Sequence, residues 1–344
     1  MKTDSNPHLQ VWDIDESEYP ESGPTAAQLR FLLRYAILAP SSHNTQPWLF
    51  HIQDRTVEIY ADQSRALRVT DPNDRQMFIA CGCVLFNLCV AMRHFGHEPV
   101  VERIPESDDT MLAARVNIGG ETFSSDENEM LFEAIPKRRT NRQRFHGESI
   151  PHQLELELKN AVTDSGAWLH FVNSPSDRGA LADLIAEGDR IQWGAKVFRL
   201  ELAAWTHPVS THSNAGIPHS VLDAEDLMTY AEPRVIRTFD LGNGQAAKDH
   251  DIAVYSPVLC VLGSSYDNPK AWVGTGEALA HLLLLARNSH LYVSYLNQAI
   301  EVPELRPRVA ELIQINGHPQ IVLRMGQGSH VNPTPRRNLA EVLA

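Results

Sequence analysis

The feature that most constrains this chain of 344 residues is a pattern that occurs once in each half. A helix-like segment, a connection and a Trp-Leu strand occur in QLRFLLRYAILAPSSHNTQPWLFHI (residues 28–52) and again in QLELELKNAVTDSGAWLHFV (residues 153–172). Further along, one glycine, two leucines and one arginine recur at identical spacing, as Gly82, Leu85, Leu88 and Arg93 and as Gly276, Leu279, Leu282 and Arg287. Two matches in the same order indicate a duplication, with the order helix, strand, central helix, strand occurring twice.

The duplication predicts an α+β fold. We expect each half to be a mixed, largely antiparallel sheet flanked by helices. The two central helices, about residues 78–94 and 275–290, should pack against each other. A chain that supplies its own partner is compatible with a monomer, and the sequence leaves a homo-oligomer open.

The second half is longer than the first by about 69 residues, which lie between Val172 and Gly276. The inserted stretch begins with the helix-like run DLIAEGDRIQWGAKVFRLELAAW and continues into segments rich in Gly, Pro, His, Ser and Asn. Long connections of this kind are usually functional lids or disordered. We expect a lid at about residues 190–250, because the stretch retains aromatic side chains for packing, namely Trp193, Phe198, Trp205, Tyr230 and Phe239.

Composition excludes several classes of function. The net charge of −13 argues against a nucleic-acid surface, which needs a basic face. The longest apolar run, residues 77–92, is too short to cross a bilayer and contains Asn87, so we expect a buried helix and no membrane partner. The polar N-terminus lacks the apolar core of a signal peptide, and the four cysteines form no metal or disulfide pattern, which favours a cytoplasmic protein.

The loop APSSHNTQPWLF, residues 39–50, concentrates hydrogen-bonding side chains between two apolar stretches. Pro40 would end the preceding helix, and serine and asparagine are typical of turns. Those preferences account for a loop but not for Ser41, Ser42, Asn44 and Gln46 together. The residues by themselves leave a plain loop and a binding loop open.

A second informative stretch is KRRTNRQRF, residues 137–145, which is strongly basic in an acidic protein. It is either a solvated linker between the halves or an anion clamp, since guanidinium groups bind phosphate in a bidentate way. Arg336 and Arg337 form another basic pair near the C-terminus. Pro333 and Pro335 should hold that tail extended on the surface as a strap.

Together PSSHNTQPW, RRTNR and TPRR, in this order, resemble the nitroreductase-like FMN oxidoreductases, and specifically their tandem, Acg-like branch. The resemblance implies two fused half-domains, residues 1–136 and 137–344, that form an intramolecular pseudo-dimer around a flavin. The first half would supply the ring-contacting loop, and the second half the phosphate site and the C-terminal strap. The first half lacks an arginine-rich opening and the second lacks the Pro-Ser-Ser loop, which implies one FMN per chain.

The resemblance also implies which residues bind the flavin. The expected set is Pro40, Ser41, Ser42, Asn44, Gln46, Arg138, Arg139, Thr140, Arg142, Leu296, Asn297, Gln298, Arg336 and Arg337. Backbone amides of residues 296–298 would face flavin N5, and Arg142 would stabilise the reduced ring near N1 and O2. No side chain is required as an acid or base.

The implied activity is electron transfer from NADH or NADPH, through the flavin, to a nitroaromatic, quinone or similar small-molecule acceptor. The alternative is a lidded protein that stores FMN or senses redox state, with little or no turnover. The large insertion in the second half keeps that alternative open.

Three further motifs give weaker evidence for a functional site. GNGQAA at Gly242, followed by Asp267, fits a dinucleotide-binding pattern, but AAKDHD is a poor helix and no strand-turn-helix context is evident. The histidine pairs His94/His97 and His207/His212 lack a third ligand, so we expect no metal site. Ser41, Ser42 and His43 are adjacent and no GxSxG elbow exists, which argues against a serine nucleophile.

Overall fold

A computed structural model describes residues 7–107, 109–207, 213–218 and 233–344. The strands are β1 Trp48–Gln53, β2 Thr56–Ala61, β3 His97–Arg103, β4 Leu112–Glu121, β5 Ala167–Phe171, β6 Thr206–His207, β7 Ile217–Pro218, β8 Val258–Ser264, β9 Tyr292–Tyr295 and β10 His318–Gly326. The α-helices are α1 Pro7–Gln10, α2 Thr25–Ala36, α3 Arg75–His94, α4 Asp126–Ala134, α5 His152–Thr163, α6 Pro175–Gly194, α7 Lys196–Ala204, α8 Pro233–Thr238, α9 Gly242–Tyr255, α10 Pro269–Asn288, α11 Gln298–Glu301 and α12 Arg306–Leu312.

Two four-stranded sheets share one topology. The first has the order β1-β2-β4-β3 and the second the order β5-β8-β10-β9, and every neighbouring pair in both sheets is antiparallel. Numbered within its own half, each sheet therefore has the order 1-2-4-3. The predicted α+β class and the repeated order of elements are confirmed, and the structure adds one further strand before each central helix and one further strand after it.

The central helices α3 and α10 pack against each other, as predicted. They cross at the two glycines of the repeat. A Cβ on Gly82 would lie 2.0 Å from the Val273 carbonyl oxygen, and a Cβ on Gly276 would lie 2.0 Å from the Ile79 carbonyl oxygen. Helix α3 is long and apolar enough to cross a membrane by length and composition, but 83% of its most apolar 18-residue stretch is buried inside the protein.

The insertion begins where the first half has a tight turn. Residues 54–55 connect β1 to β2, whereas residues 172–257 connect β5 to β8. The expected helical run is confirmed as α6 and α7, which are separated at Ala195 by extended backbone. AAKDHD was expected to be a poor helix, and that expectation was wrong. It lies inside α9, which is stabilised by packing on α6 rather than by its own sequence preference. Tyr230 and His212 lie outside the described residues.

The C-terminal segment returns from the second half to the first sheet. The Phe50 amide donates to the Val342 carbonyl (2.7 Å) and the Ala344 amide donates to the Phe50 carbonyl (2.8 Å). The segment was expected on the surface, but its two arginines are buried, with Arg336 2% exposed and Arg337 7% exposed. Trp12 packs against the segment: its indole N–H donates to the Thr334 carbonyl (2.9 Å), and its ring centre lies 4.9 Å from the Arg336 guanidinium.

Candidate functional site

A cavity of about 270 Å³ lies where the loop after α2, the start of the second half and the insertion meet. Most residues of the predicted site line it, namely Pro40, Ser41, Ser42, Asn44, Arg138, Thr140, Arg142, Leu296, Asn297, Gln298 and Arg336. Ile79 and Leu279, from the two central helices, add apolar wall. Residues from both halves of the chain therefore line one cavity. The roles of these residues toward a ligand stay predictions.

The loop at residues 40–47 is held in an unusual conformation by its own side chains. His43, Asn44 and Gln46 all have positive φ, between 50° and 54°. Left-handed backbone is disfavoured for most side chains, and asparagine tolerates it better than most. The Ser41 hydroxyl accepts the Gln46 amide (2.8 Å), and the Ser42 hydroxyl hydrogen-bonds the side chain of Gln76 on α3. Much of the loop's polarity therefore maintains its shape.

The basic stretch after α4 is part of the folded core. Thr140 forms a parallel bridge with Val293 of β9, and the Asn141 side chain donates to the Ser329 carbonyl (2.9 Å). Arg138 is 6% exposed and Asn141 is fully buried. The solvated-linker interpretation is therefore wrong for this segment, because its backbone adds to the edge of the second sheet.

The C-terminal strap is tied to the loop by two arginines with different roles. Arg336 lines the cavity and its Nη1 donates to Asn44 Oδ1 (2.9 Å). Arg337 lies behind the loop, where its amide donates to Gln46 Oε1 (2.7 Å) and its Nη1 to the Gln46 carbonyl (3.0 Å). Arg139 also lies outside the cavity, with its guanidinium 4.2 Å from the centre of the Trp12 ring. Gln46, Arg139 and Arg337 thus support the site from behind.

One end of the cavity carries two buried arginines, Arg138 and Arg336. Among the described residues, Arg138 and Arg336 form no ion pair with a carboxylate, and each has a buried guanidinium nitrogen, Arg138 Nη1 and Arg336 Nε, without a hydrogen-bond partner. Burial lowers the pKa of Arg138, and burial together with Arg138 and Arg139 lowers the pKa of Arg336. Unpaired buried charge is costly, so this end is suited to an anion with several acceptor oxygens.

The segment at residues 296–298 lies at the cavity wall between β9 and α11. The Leu296 amide already donates to the Val322 carbonyl (3.0 Å), and Asn297 Oδ1 accepts the Val322 amide (3.0 Å). The amides at the start of α11 have no acceptor within the helix itself. Asn297 and Gln298 are thus better placed than Leu296 to present an N–H to a ligand.

Sequence reasoning missed an acidic group at the insertion side of the cavity. Asp189 on α6, Asp249 on α9 and Glu301 on α11 all line it; the two aspartates are almost completely buried, and Glu301 is partly buried. Gln298 Nε2 donates to Asp189 Oδ1 (3.2 Å) and to Asp249 Oδ2 (2.6 Å). No motif joins residues so far apart in sequence. The sequence indicated only that two helical segments of the insertion each carry one of these aspartates, Asp189 and Asp249.

The remaining candidate motifs do not form sites in the part of the chain that the structure describes. His94 pairs with Glu129 (2.8 Å) and His97 with the Tyr19 hydroxyl (2.6 Å), and no cluster of metal-ligating side chains occurs among the described residues. GNGQAA lies inside α9, which follows another helix rather than a strand, so it does not form a βαβ dinucleotide turn.

Two antiparallel sheets of one topology, joined through paired central helices around a cavity with a cationic end, define a tandem α+β architecture. The chain is 30% identical to acg of Mycobacterium tuberculosis, provisionally named an NAD(P)H nitroreductase, across 94% of this chain and 97% of acg. A second M. tuberculosis protein, also provisionally named an NAD(P)H nitroreductase, is 28% identical across 93% of this chain and 92% of its own length. The chain therefore belongs to the NAD(P)H nitroreductase family, a family of oxidoreductases.

The fold comparison agrees with this assignment. A structure from Anabaena variabilis, provisionally named a nitroreductase, aligns with 96% of this chain and 93% of its own, with a TM-score of 0.53 at 11% identity. The nitroreductase-like fold is therefore confirmed over nearly the whole chain. No protein-family model matches the chain.

Proposed function

We propose that this protein binds one FMN per chain and transfers electrons from NADH or NADPH to a nitroaromatic, quinone or similar small-molecule acceptor. The observation that supports it best is the pair of buried arginines, Arg138 and Arg336, each with an unpartnered guanidinium nitrogen beside the cavity. A phosphate monoester would supply both the compensating charge and the missing acceptors. Bound FMN would supply the two-electron chemistry.

The residues present fit the rest of the cofactor. Ile79, Ala80 and Leu279 offer an apolar surface for an aromatic ring, and polar groups at the edges can hold it in one orientation. Thr140 and Arg142 line the cavity on the side of Arg138. Arg142 would stabilise negative charge on the reduced ring, and the start of α11 would offer amide donors.

A lidded FMN store or redox sensor is the second candidate, and the insertion favours it. Four apolar side chains of the insertion form a wall of the cavity, namely Trp193, Phe198, Leu202 and Ile217. Residues 213–218 are fastened to the loop, because the Gly216 amide donates to the Asn44 carbonyl (3.1 Å) and Asn44 Nδ2 donates to the Gly216 carbonyl (3.0 Å). A fastened wall would restrict access of a nicotinamide to the ring.

One experiment tests the proposal and separates the two candidates. The purified protein is incubated with FMN, freed of excess flavin, and its visible spectrum is recorded anaerobically before and after NADPH and then dithionite. Flavin that bleaches with NADPH supports the oxidoreductase. Flavin that bleaches only with dithionite supports the store or sensor. A protein that retains no flavin contradicts both.

The division into half-domains at residues 136–137 and the cytoplasmic location stay predictions, and a monomer and a homo-oligomer both stay open. The shared cavity supports the division into two contributing halves. Light scattering of the flavin-loaded protein would measure the oligomeric state: a mass near that of one chain, 38.5 kDa, would identify a monomer, and a multiple of it a homo-oligomer.

A further inference from the structure

The acidic end of the cavity contains two buried aspartates, Asp189 and Asp249, that amide side chains hold in place. Asp189 is 1% exposed and Asp249 is 6% exposed, and their carboxyl groups lie within hydrogen-bond reach of each other. Gln298 donates to both and Gln245 Nε2 donates to Asp249 Oδ2 (3.1 Å). Two amide groups and two helices of the insertion therefore hold the pair in one place at the cavity wall.

One carboxyl oxygen at the contact between the two aspartates accepts no hydrogen bond from the described residues. Asp189 Oδ2 is buried and has no hydrogen-bond donor among the described residues, although the Asp249 carboxyl is beside it. Two ionised carboxylates offer each other only acceptors and repel. A single proton held between them supplies the missing donor and removes the repulsion, as in other close carboxyl pairs.

The surroundings keep that proton at neutral pH. Burial, with the Asp249 charge second, raises the pKa of Asp189, and Glu301 acts in the same direction. Glu301 is partly buried and accepts from Gln192 Nε2 (2.7 Å) and Gln76 Nε2 (3.1 Å), so it does not donate to the pair. Lys248 is the cationic side chain of α9 that lines the same cavity.

We propose that Asp189 and Asp249 share one proton and donate it to an oxygen atom of the electron acceptor bound in the cavity. The proposal rests on the proposed function and extends it by naming a catalytic acid. It also specifies the acceptor class: a molecule whose oxygen takes up a proton when it is reduced, such as a quinone.

The step balances for a quinone. Reduction to the hydroquinone consumes two electrons and two protons. Under the proposed function, both electrons and one hydrogen nucleus come from the reduced cofactor. The second proton comes from the pair: the O–H bond of Asp189 breaks as the new O–H bond on the acceptor forms. The pair is left with two ionised carboxylates and regains one proton from solvent.

Asp189→Asn is the informative substitution. An asparagine at this position can still donate a hydrogen bond to Asp249, so the contact between α6 and α9 is retained while the transferable proton is lost. Asp183→Asn is the matched control. Asp183 lies on the same helix and pairs with His250 of α9 (3.5 Å), but its side chain is 79% exposed and it does not line the cavity.

The first readout uses flavin-free protein. Infrared spectroscopy at neutral pH should show the carbonyl stretch of a protonated carboxylic acid in the wild type and in Asp183→Asn. Asp189→Asn should lose that band. A wild-type spectrum without it, or a band that persists in Asp189→Asn at full intensity, would overturn the shared proton.

The second readout uses FMN-loaded protein reduced with dithionite and then mixed rapidly with an oxidant. Asp189→Asn should be reoxidised by a quinone at least about 10-fold more slowly than wild type, since general acids contribute roughly 10²–10⁴-fold. Ferricyanide takes one electron and no proton, so its rate should not change. Equal quinone rates, or equal losses with both oxidants, would overturn the donor role. A protein that binds no FMN would instead refute the proposed function, a result visible before any oxidant is added.

Discussion

Gly82 and Gly276 lie against each other at the crossing of the two central helices, and a Cβ built on either would approach the other's Cα to within 3 Å. The two residues occupy equivalent positions of the repeat. Helices can approach this closely only where neither side has a side chain at the contact. The pair therefore sets the separation of the two halves, and with it the width of the cavity that both halves line.

Gly82→Ala should lower the free energy of unfolding by about 1–3 kcal/mol, because the added methyl would meet the Val273 carbonyl oxygen and α10 would have to move. Urea unfolding measures this loss. Gly179→Ala is the control, since it also lies in a helix but has no atom within 4 Å of its Cβ position. The control should be neutral or slightly stabilising through helix propensity. Equal stability of Gly82→Ala and wild type would show that the crossing is not tight.

Arg138→Ala should weaken FMN binding by about 1.5–3 kcal/mol, whereas Arg139→Ala should have a smaller effect. Only Arg138 lines the cavity, while Arg139 stacks on Trp12 and donates to the Pro136 and Arg138 carbonyls (2.8 and 2.7 Å). Titration of the flavin-free variants with FMN measures both.

The thermal stability of the flavin-free Arg138→Ala variant gives a second comparison with wild type. Removal of Arg138 should leave the thermal stability of the flavin-free protein unchanged or raised. Its buried guanidinium pairs with no carboxylate of the described residues, and it lowers the pKa of Arg336 through repulsion. Equal losses of FMN affinity in the two variants would contradict the assignment of Arg138 to the cavity.

Stability should fall as pH rises from about 4 towards the raised pKa of Asp189. Burial and Asp249 raise this pKa in the folded state, whereas in the unfolded chain it is about 3.9. Between those two values the folded state binds one more proton than the unfolded state, so each pH unit lowers the free energy of unfolding by up to about 1.4 kcal/mol. Urea unfolding of Asp189→Asn at several pH values should show a flatter profile than wild type. Asp183→Asn should keep the wild-type dependence of unfolding free energy on pH. A free energy of unfolding that does not change with pH in any of the three proteins would contradict the raised pKa of Asp189.

Arg103→Ala should cost about 1–3 kcal/mol, because it leaves the buried carboxylate of Glu277 without its partner. Arg103 of β3 makes a two-point contact with Glu277 of α10 and so joins the two halves. Burial raises the pKa of Glu277 even with the arginine present. Arg34→Ala, which breaks the more exposed pair with Glu18, should change stability by less than about 1 kcal/mol. Similar costs for the two variants in thermal unfolding would contradict this account.

The repeat in the sequence was sufficient to predict the two sheets and the contact between the central helices. Gly82 and Gly276 carry that information because close helix packing depends on the absence of a side chain, which is a property of the residue itself. The loop at residues 40–47 and the stretch at 137–145 were identifiable for a similar reason. Proline, asparagine and clustered arginine have strong local preferences that do not depend on distant partners.

Tertiary structure alone decided the acidic end of the cavity and the position of the strap. Asp189, Asp249 and Gln298 are ordinary residues in sequence, and their chemistry comes from burial beside one another across three helices. The same holds for Arg336 and Arg337: adjacent in sequence, one faces the cavity and the other the back of the loop. The sequence determined which segments form helices, strands and turns, because those depend on local preference and periodicity. Contacts between residues far apart in the chain decided which charged side chains are buried. Burial in turn decides which of them can bind an anion or hold a proton.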